Sequence, residues 1–370
     1  VRSPMHQIIA AKFLDDFLLV RPGHSNGIKI GRQRFAEIQR ATAEGELVPR
    51  WLGEAAQTGW RLDIATQPAA EAVLVREPSD FGYSRASYEL NLGCNFGCDF
   101  CYLGEKRFEG LDLEGRQRLL HILRDAGVLW VQLTGGEPTI DQFFPEVYTL
   151  AYQLGMMISI STNGSRLSSP KILELLTTMR PYRITVSVYG ATEATYDAVT
   201  RRKGTFRKFI AGLDAAHAAG LPLRLNVIVC DANAHEVEAM EALAGRYDSP
   251  HQVYANMSPT IYGGPESIPA QSQKYLRARR PFTGCNAGHT FFHVDPHGRA
   301  SICKVGRDPQ IHLMDEGLEG LRRLGGIADG LMLRQGACTG CTLQGTCGTC
   351  PPLVKLYRQA KAPLNMFCQH

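Results

Sequence analysis

Along the first third of the chain the apolar positions change period more than once. Phe17-Leu18-Leu19-Val20 and Ile28-Lys29-Ile30 flank a turn-forming stretch, Pro22 to Gly27, which predicts a β-hairpin. Helical spacing follows over 34–43 and 49–58, with Trp51, Leu52 and Trp60 as apolar anchors. From Ala86 the period becomes two. Ala86, Tyr88, Leu90 and Leu92 alternate with Ser87, Glu89 and Asn91, a strand that runs into a cysteine loop. Asp112 is a good N-cap for a helix carrying Leu119, Leu120 and Leu123 on one face. Val128 to Leu133 predicts a buried strand ending in Gly135-Gly136-Glu137-Pro138, with a helix after Asp141. Met157 to Ile160 predicts the next strand, ending in Ser161-Thr162-Asn163-Gly164, and Ser169-Pro170 opens another helix. Strands are then expected at 182–188, 223–229 and 252–257.

Strand and helix thus alternate about six times, and a parallel sheet is the natural outcome. Polar and glycine-rich motifs fall at the C-terminal ends of the strands, the face that builds active sites in parallel barrels. Six units rather than eight imply an open, partial (β/α)6 TIM-like barrel whose open side admits a large substrate. The expected fold is α/β in three parts: a small α+β module over 1–80, the partial barrel over 81–275, and a cysteine-rich segment over 276–370. The first part is open to two readings, a winged-helix-like peptide-recognition module or an extension packed on the barrel.

A length of 370 residues suits two or three domains. With 44% hydrophobic and 21% charged residues, the composition is that of a soluble globular protein. A net charge of +4 is too mild to argue for nucleic acid. No apolar run approaches the roughly 20 residues of a membrane span, so no membrane partner is expected. No signal-peptide core precedes Met5, which is expected to be the native start after an artificial extension. Eleven cysteines are many, and ten lie in two groups with ligand-like spacing. That pattern reads as metal rather than disulfides, and oxygen-labile clusters would place the protein in a reducing cytoplasm.

The first group is Cys94, Cys98 and Cys101, three thiols on one short loop. A tetrahedral zinc site takes four N/S ligands, and this loop offers three with no histidine nearby. Three thiolates suit a cubane iron–sulfur cluster with one iron left open for a small molecule. The loop, with Phe100 before its last cysteine, resembles the signature of radical S-adenosylmethionine (SAM) enzymes. The resemblance extends over about residues 84–260. Gly135-Gly136-Glu137-Pro138 looks like the family's motif after the second strand, where glycines allow close backbone approach to the methionyl ammonium of SAM and Glu137 adds negative charge. Ser161, Asn163 and Ser187 match polar strand ends that contact SAM in relatives, and Phe100 is expected near the adenine. Arg201 resembles the arginine that pairs with the SAM carboxylate, with Arg202 equally in reach. Tyr189-Gly190 stands where many relatives have Asp-Gly, so no role is carried over for that aspartate.

The second group is Cys285, Cys303, Cys338, Cys341, Cys347, Cys350 and Cys368. Taken alone, Cys338-x-x-Cys341 with Cys347-x-x-Cys350 has zinc-ribbon character. With the upstream motifs the group resembles the SPASM domain of radical SAM proteins, which holds auxiliary iron–sulfur clusters. The family has three residues between the last two of the quartet, and here Gly348-Thr349 makes two. The resemblance implies Cys338, Cys341, Cys347 and Cys368 on one cluster and Cys285, Cys303 and Cys350 on another. With the SAM-binding cluster, that makes three [4Fe–4S] clusters. Cys230 reads as a packing residue. His289, His293 and His297 lie between Cys285 and Cys303 and read as structural.

By this resemblance the chain is a radical SAM/SPASM oxidoreductase. It would cleave SAM reductively to a 5′-deoxyadenosyl radical and take a hydrogen atom from its substrate. SPASM proteins act mostly on peptides or proteins, so the expected substrate is a ribosomally made precursor peptide, and an external one-electron reductant is required. The rival readings are a maturase oxidising a Cys or Ser of a folded enzyme such as a sulfatase, an enzyme of small molecules, and a zinc-bearing adaptor.

Overall fold

The computed structural model describes residues 6–276 and 279–368. The expectation for Met5 lies outside them. Four strands, β1 (Ile8–Phe13), β2 (Asp16–Val20), β3 (Gly27–Ile30) and β4 (Val73–Val75), form a first sheet in the order β3-β2-β1-β4. The predicted hairpin is β2–β3, paired antiparallel with Phe17 opposite Ile30. Pairing of β1 with β4 is parallel. The predicted helices are Arg32–Ala43 and Arg50–Trp60. They cover one face of the sheet through Phe35, Ile38, Leu52 and Ala56 against Ile8, Ala10 and Leu19. The opposite face also is buried: Ile9, Ala11 and Val20 pack on Leu129 and Met157. Burial on both faces explains why the first four residues of β1, Ile8-Ile9-Ala10-Ala11, are all apolar and show no alternation. Arg76, just beyond β4, ties this module to the barrel by donating to the carbonyls of Val128, Arg124 and Gly155.

The second sheet holds β5 (Arg85–Glu89), β6 (Trp130–Thr134), β7 (Met157–Thr162), β8 (Arg183–Val188), β9 (Leu223–Ile228), β10 (His251–Tyr254), β11 (Phe291–Val294), β12 (Arg299–Ser301) and β13 (Ile311–His312). Their order is β10-β9-β8-β7-β6-β5-β11-β12-β13. The six strands β5 to β10 are parallel, with β10 at one edge, so the barrel is open as expected. Beyond β5 the sheet continues: β11 joins it in parallel, and β12 and β13 follow antiparallel.

Period two sorts the side chains of β5–β9 into two sets. Val131, Leu133, Ile158, Ile160, Val186 and Leu225 face the helices and build the main core. Ser87, Gln132 and Ser159 pair in register on the opposite, concave face, as do Ser161 and Thr185, and Ser187 and Asn226. A parallel sheet sandwiched between helices is apolar on both sides. Here only one side carries helices, and the other is a polar bowl.

Candidate active site

The loop 94–101 leaves the C-terminal end of β5 and is fixed from three sides. The Gly97 N–H donates to the Thr200 carbonyl (2.8 Å). Lys106 Nζ donates to the Phe96 carbonyl (2.8 Å). Asn163 Nδ2 donates to Asn95 Oδ1 (2.8 Å), and Asn95 Nδ2 donates to Ser165 Oγ (2.9 Å). Cys94, Cys98 and Cys101 are all free thiols. Burial pushes the Cys94 thiol up to about 11 and Cys98 higher still, and Cys101 adds to both. Thiols raised in this way keep their protons unless a cation displaces them, which is how metal ligation works. Three cysteines outside any disulfide on one tethered loop fit an iron–sulfur cluster with three cysteine ligands.

Gly135 and Gly136 lie directly against this loop. A Cβ on Gly136 would meet the Gly93 carbonyl at 2.1 Å, and one on Gly135, at φ +139°, would meet the Asn91 carbonyl at 2.2 Å. The Gly136 and Glu137 N–H groups donate to those same carbonyls, Asn91 (3.0 Å) and Gly93 (2.9 Å) respectively. The glycines therefore let the two strand ends touch, a reason beyond the ligand approach expected from sequence. Glu137 is fully buried. Its Oε1 accepts from the Thr139 N–H and from the Thr139 and Thr162 hydroxyls, and its Oε2 accepts from the Asn163 N–H (2.6 Å). Burial pushes this carboxyl up while the four hydrogen bonds oppose. In this arrangement Glu137 organises the end of β7, and through Asn163 the cysteine loop. Deeper still, Asp141 accepts from Arg116 (3.0 Å) and Asn91 (2.6 Å), a buried ion pair behind the same loops.

Ser161 accepts a hydrogen bond from Gln132 Nε2 (2.7 Å) on the bowl face. Ser187 shares a hydrogen bond with the buried Tyr189 hydroxyl. Phe100 packs on Tyr189 (5.4 Å between rings), and Tyr189 on Tyr196 (5.7 Å), so the position without an aspartate has become an aromatic wall. Arg201 ends the helix Glu193–Thr200 in a left-handed conformation and pairs with Asp99 of the cysteine loop at 2.8 Å. Its side chain is 63% exposed. The structure thus brings the cysteines, the glycine pair, Ser161, Asn163, Ser187, Phe100 and Arg201 to one end of the sheet.

In the second group, Cys285 and Cys303 act on the Cys350 thiol, and burial raises both Cys303 and Cys350. Cys303 Sγ accepts from the Gly306 N–H (3.2 Å). Cys338 and Cys368 pack around Val354, Tyr357 and Phe367, and Arg358 donates to Cys338 Sγ (3.1 Å). The Cys341 N–H donates to the Cys338 carbonyl (3.4 Å), and that of Cys347 to Leu343 (2.9 Å). Among the described residues, no three Cys, His, Asp or Glu side chains gather around one point as for a single ion. Cys230 is buried at the start of a 3-10 turn. The histidines go separate ways: His289 to Asp329 (3.0 Å), His297 to Glu109 (3.6 Å), and His293 into the sheet.

Around His293 lies a network that the sequence reading missed. Glu89 and His293 are fully buried. Arg307 clasps Glu89 with two hydrogen bonds (2.8 and 3.0 Å). His293 Nδ1 meets Ser87 Oγ at 2.8 Å, and its Nε2 stands 3.3 Å from Glu89, without hydrogen-bond alignment. Burial pushes the Glu89 carboxyl up, yet the Arg307 guanidinium clasped on it outweighs that and holds it well below the usual carboxylate range. Burial, with Arg307 and Lys304, pushes His293 down, so the ring is neutral near pH 7. The network ties β5, which leads to Cys94, to the loop after Cys303. A signal existed: alternation already placed Ser87 and Glu89 on the polar face.

Comparison with known proteins agrees with this geometry. Residues 88–244 match the model of the Radical SAM superfamily. The chain is 28% identical over 242 residues to mycofactocin maturase MftC of Mycobacterium ulcerans, covering 60% of this chain and 63% of that protein. It is 31% identical over 160 residues to PqqA peptide cyclase of Xanthomonas campestris pv. campestris, 42% of each chain. The chain therefore spans less than two thirds of these curated relatives. In fold it superposes on SuiB of Streptococcus suis bound to S-adenosylmethionine with a TM-score of 0.63, at 15% identity, over 100% of this chain and 99% of that one. SuiB bound to its precursor peptide SuiA matches with the same score. Motif order, open sheet and family match agree: residues 88–244 carry a domain of the Radical SAM superfamily, a family that implies SAM and a [4Fe–4S] cluster.

Proposed function

We propose that this chain is a radical SAM maturase that acts on a ribosomally made precursor peptide. One observation carries the reading: the three-thiol loop sits at the mouth of an open, polar bowl with no helix layer on that side. A bowl of this kind leaves room for a peptide. MftC is named as a maturase and the PqqA enzyme as a peptide cyclase, and SuiB has been solved with a precursor peptide, which supports the same class.

Cys94, Cys98 and Cys101 hold the SAM-binding cluster. When bound there, the cluster supplies the electron for reductive SAM cleavage, and with it hydrogen-atom abstraction from the substrate. Phe100 and Tyr189 form the wall for the adenine. Gly135 and Gly136 present backbone, and Ser161, Asn163 and Ser187 present polar groups to the rest of SAM. An exposed ion pair such as Asp99–Arg201 is worth little, which leaves Arg201 free for the SAM carboxylate. Glu137 acts through Asn163 rather than at the ligand. Cys285, Cys303 and Cys350 hold one auxiliary [4Fe–4S] cluster, and Cys338, Cys341, Cys347 and Cys368 the other. Residues 1–80, 81–275 and 276–370 are the functional divisions, and the edge strand β3 offers main-chain groups to a peptide leader. Eleven cysteines, none of them in a disulfide among the described residues, suit the cytoplasm, where an external one-electron reductant is at hand.

The test is co-expression with short open reading frames from the neighbourhood of the gene, followed by peptide mass spectrometry. A mass loss of two hydrogens, dependent on Cys94, is expected. Unchanged precursors, together with turnover of a small molecule, would replace this reading.

A further inference from the structure

At the N-terminal end of the barrel, away from the SAM loop, lies a cavity of about 960 Å³. Its rim is built from arginines and aromatic rings. Phe13 of β1 meets Trp130 of β6 edge-on (4.9 Å), and Trp130 meets Tyr182 (6.1 Å). The Arg85 guanidinium lies over both Phe13 and Trp130 (6.0 and 5.9 Å), and that of Arg183 over Tyr182 (5.0 Å). Among the described residues, the polar partner of Arg183 is the Tyr182 hydroxyl alone (3.4 Å). No Asp or Glu lines the cavity, so both cations face it uncompensated. A guanidinium stacked on a ring keeps its edge free for a carboxylate. The far wall carries Cys285 and Cys303. The near edge carries Leu14, 41% exposed in a left-handed turn between β1 and β2.

We propose that this mouth binds an acidic segment of the precursor peptide and leads it past Cys285 and Cys303 into the bowl. The inference rests on the peptide-maturase reading and specifies its substrate. Three features select this occupant. The charge is one-sided and positive, which calls for carboxylates. Trp, Tyr and Arg are the residue types that anchor peptide and protein interfaces. The mouth is shared between the first module and the barrel, so a chain held by the module is delivered to it.

The test uses the cluster-loaded protein and three fluorescein-labelled peptides of one design: Glu alternating with Leu and Tyr, the same with Gln for Glu, and the same with Lys for Glu. Fluorescence anisotropy is read as salt is varied. The Glu peptide should bind about tenfold more tightly than the Gln peptide, from two ion pairs of about 0.7 kcal/mol each. Its affinity should fall with salt, and the Lys peptide should bind weakest. The double variant R85Q/R183Q, with its iron content unchanged, should bring the Glu peptide down to the Gln level. Equal binding of the three peptides to the unmodified protein would overturn the inference and needs no variant. So would a double variant that loses iron but keeps its preference for Glu, because the arginines would then serve the cluster. Failure of the peptide reading itself shows separately, as the absence of any mass change in precursors.

Discussion

Replacing Glu89 by Gln should destabilise the fold far more than a surface charge change would. The Glu89 side chain is 0% exposed and that of Arg307 13%, with two charge-assisted hydrogen bonds between them. Gln keeps the shape and one acceptor but leaves the guanidinium buried without a counter-charge. Breaking such a pair costs about 3–5 kcal/mol. The slight exposure of Arg307 puts the expected cost near the lower end, about 3 kcal/mol. Removing both charges, in E89Q/R307M, should recover about 2 kcal/mol of the summed single costs, because the guanidinium is then no longer buried without its partner. The assay is anaerobic urea unfolding of wild type, both singles and the double, at matched iron content, with midpoints compared at a common slope. The reasoning fails if E89Q costs less than about 1 kcal/mol, or if the single costs simply add.

Three further outcomes follow from the same geometry. His293 is buried in its neutral form, so its folded pKa lies below the unfolded value of about 6.5. The unfolded chain then binds the extra proton, and this contribution is complete above pH 6.5 and declines as the pH falls below it; H293N should flatten the acid limb of a stability-against-pH curve. In G136A the new methyl would meet the Gly93 carbonyl at 2.1 Å, so a loss of about 3 kcal/mol is expected, with poor iron retention at the Cys94 loop as the measured sign. Iron and sulfide analysis after anaerobic reconstitution should give about twelve irons per chain if three cubanes are present, and near four with stoichiometric zinc if the C-terminal cysteines hold zinc instead.

Much of the barrel was legible because its strands alternate and its polar motifs sit at strand ends. The hairpin and both early helices were equally plain. β1 was missed for a physical reason: Ile8-Ile9-Ala10-Ala11 is covered on both faces and so has no period to detect. β11 to β13 were missed because they are short and join the sheet beside β5, far away in sequence. At the site, cysteine spacing and Gly135-Gly136 pointed to two segments that the structure sets side by side. What Glu137 does could not be read, since its four donors come from Thr139, Thr162 and Asn163, and their convergence is a tertiary fact. The Glu89–Arg307 pair joins residues 218 apart, and no local pattern announces it.

The central claim is that Cys94, Cys98 and Cys101 support reductive cleavage of SAM. The most direct measurement is 5′-deoxyadenosine formed anaerobically from SAM and dithionite, by the wild type and by the triple alanine variant, with iron counted in both. The account predicts steady 5′-deoxyadenosine from the wild type and none from the variant, which should keep the iron of its C-terminal cysteines. Equal 5′-deoxyadenosine from both proteins would contradict it.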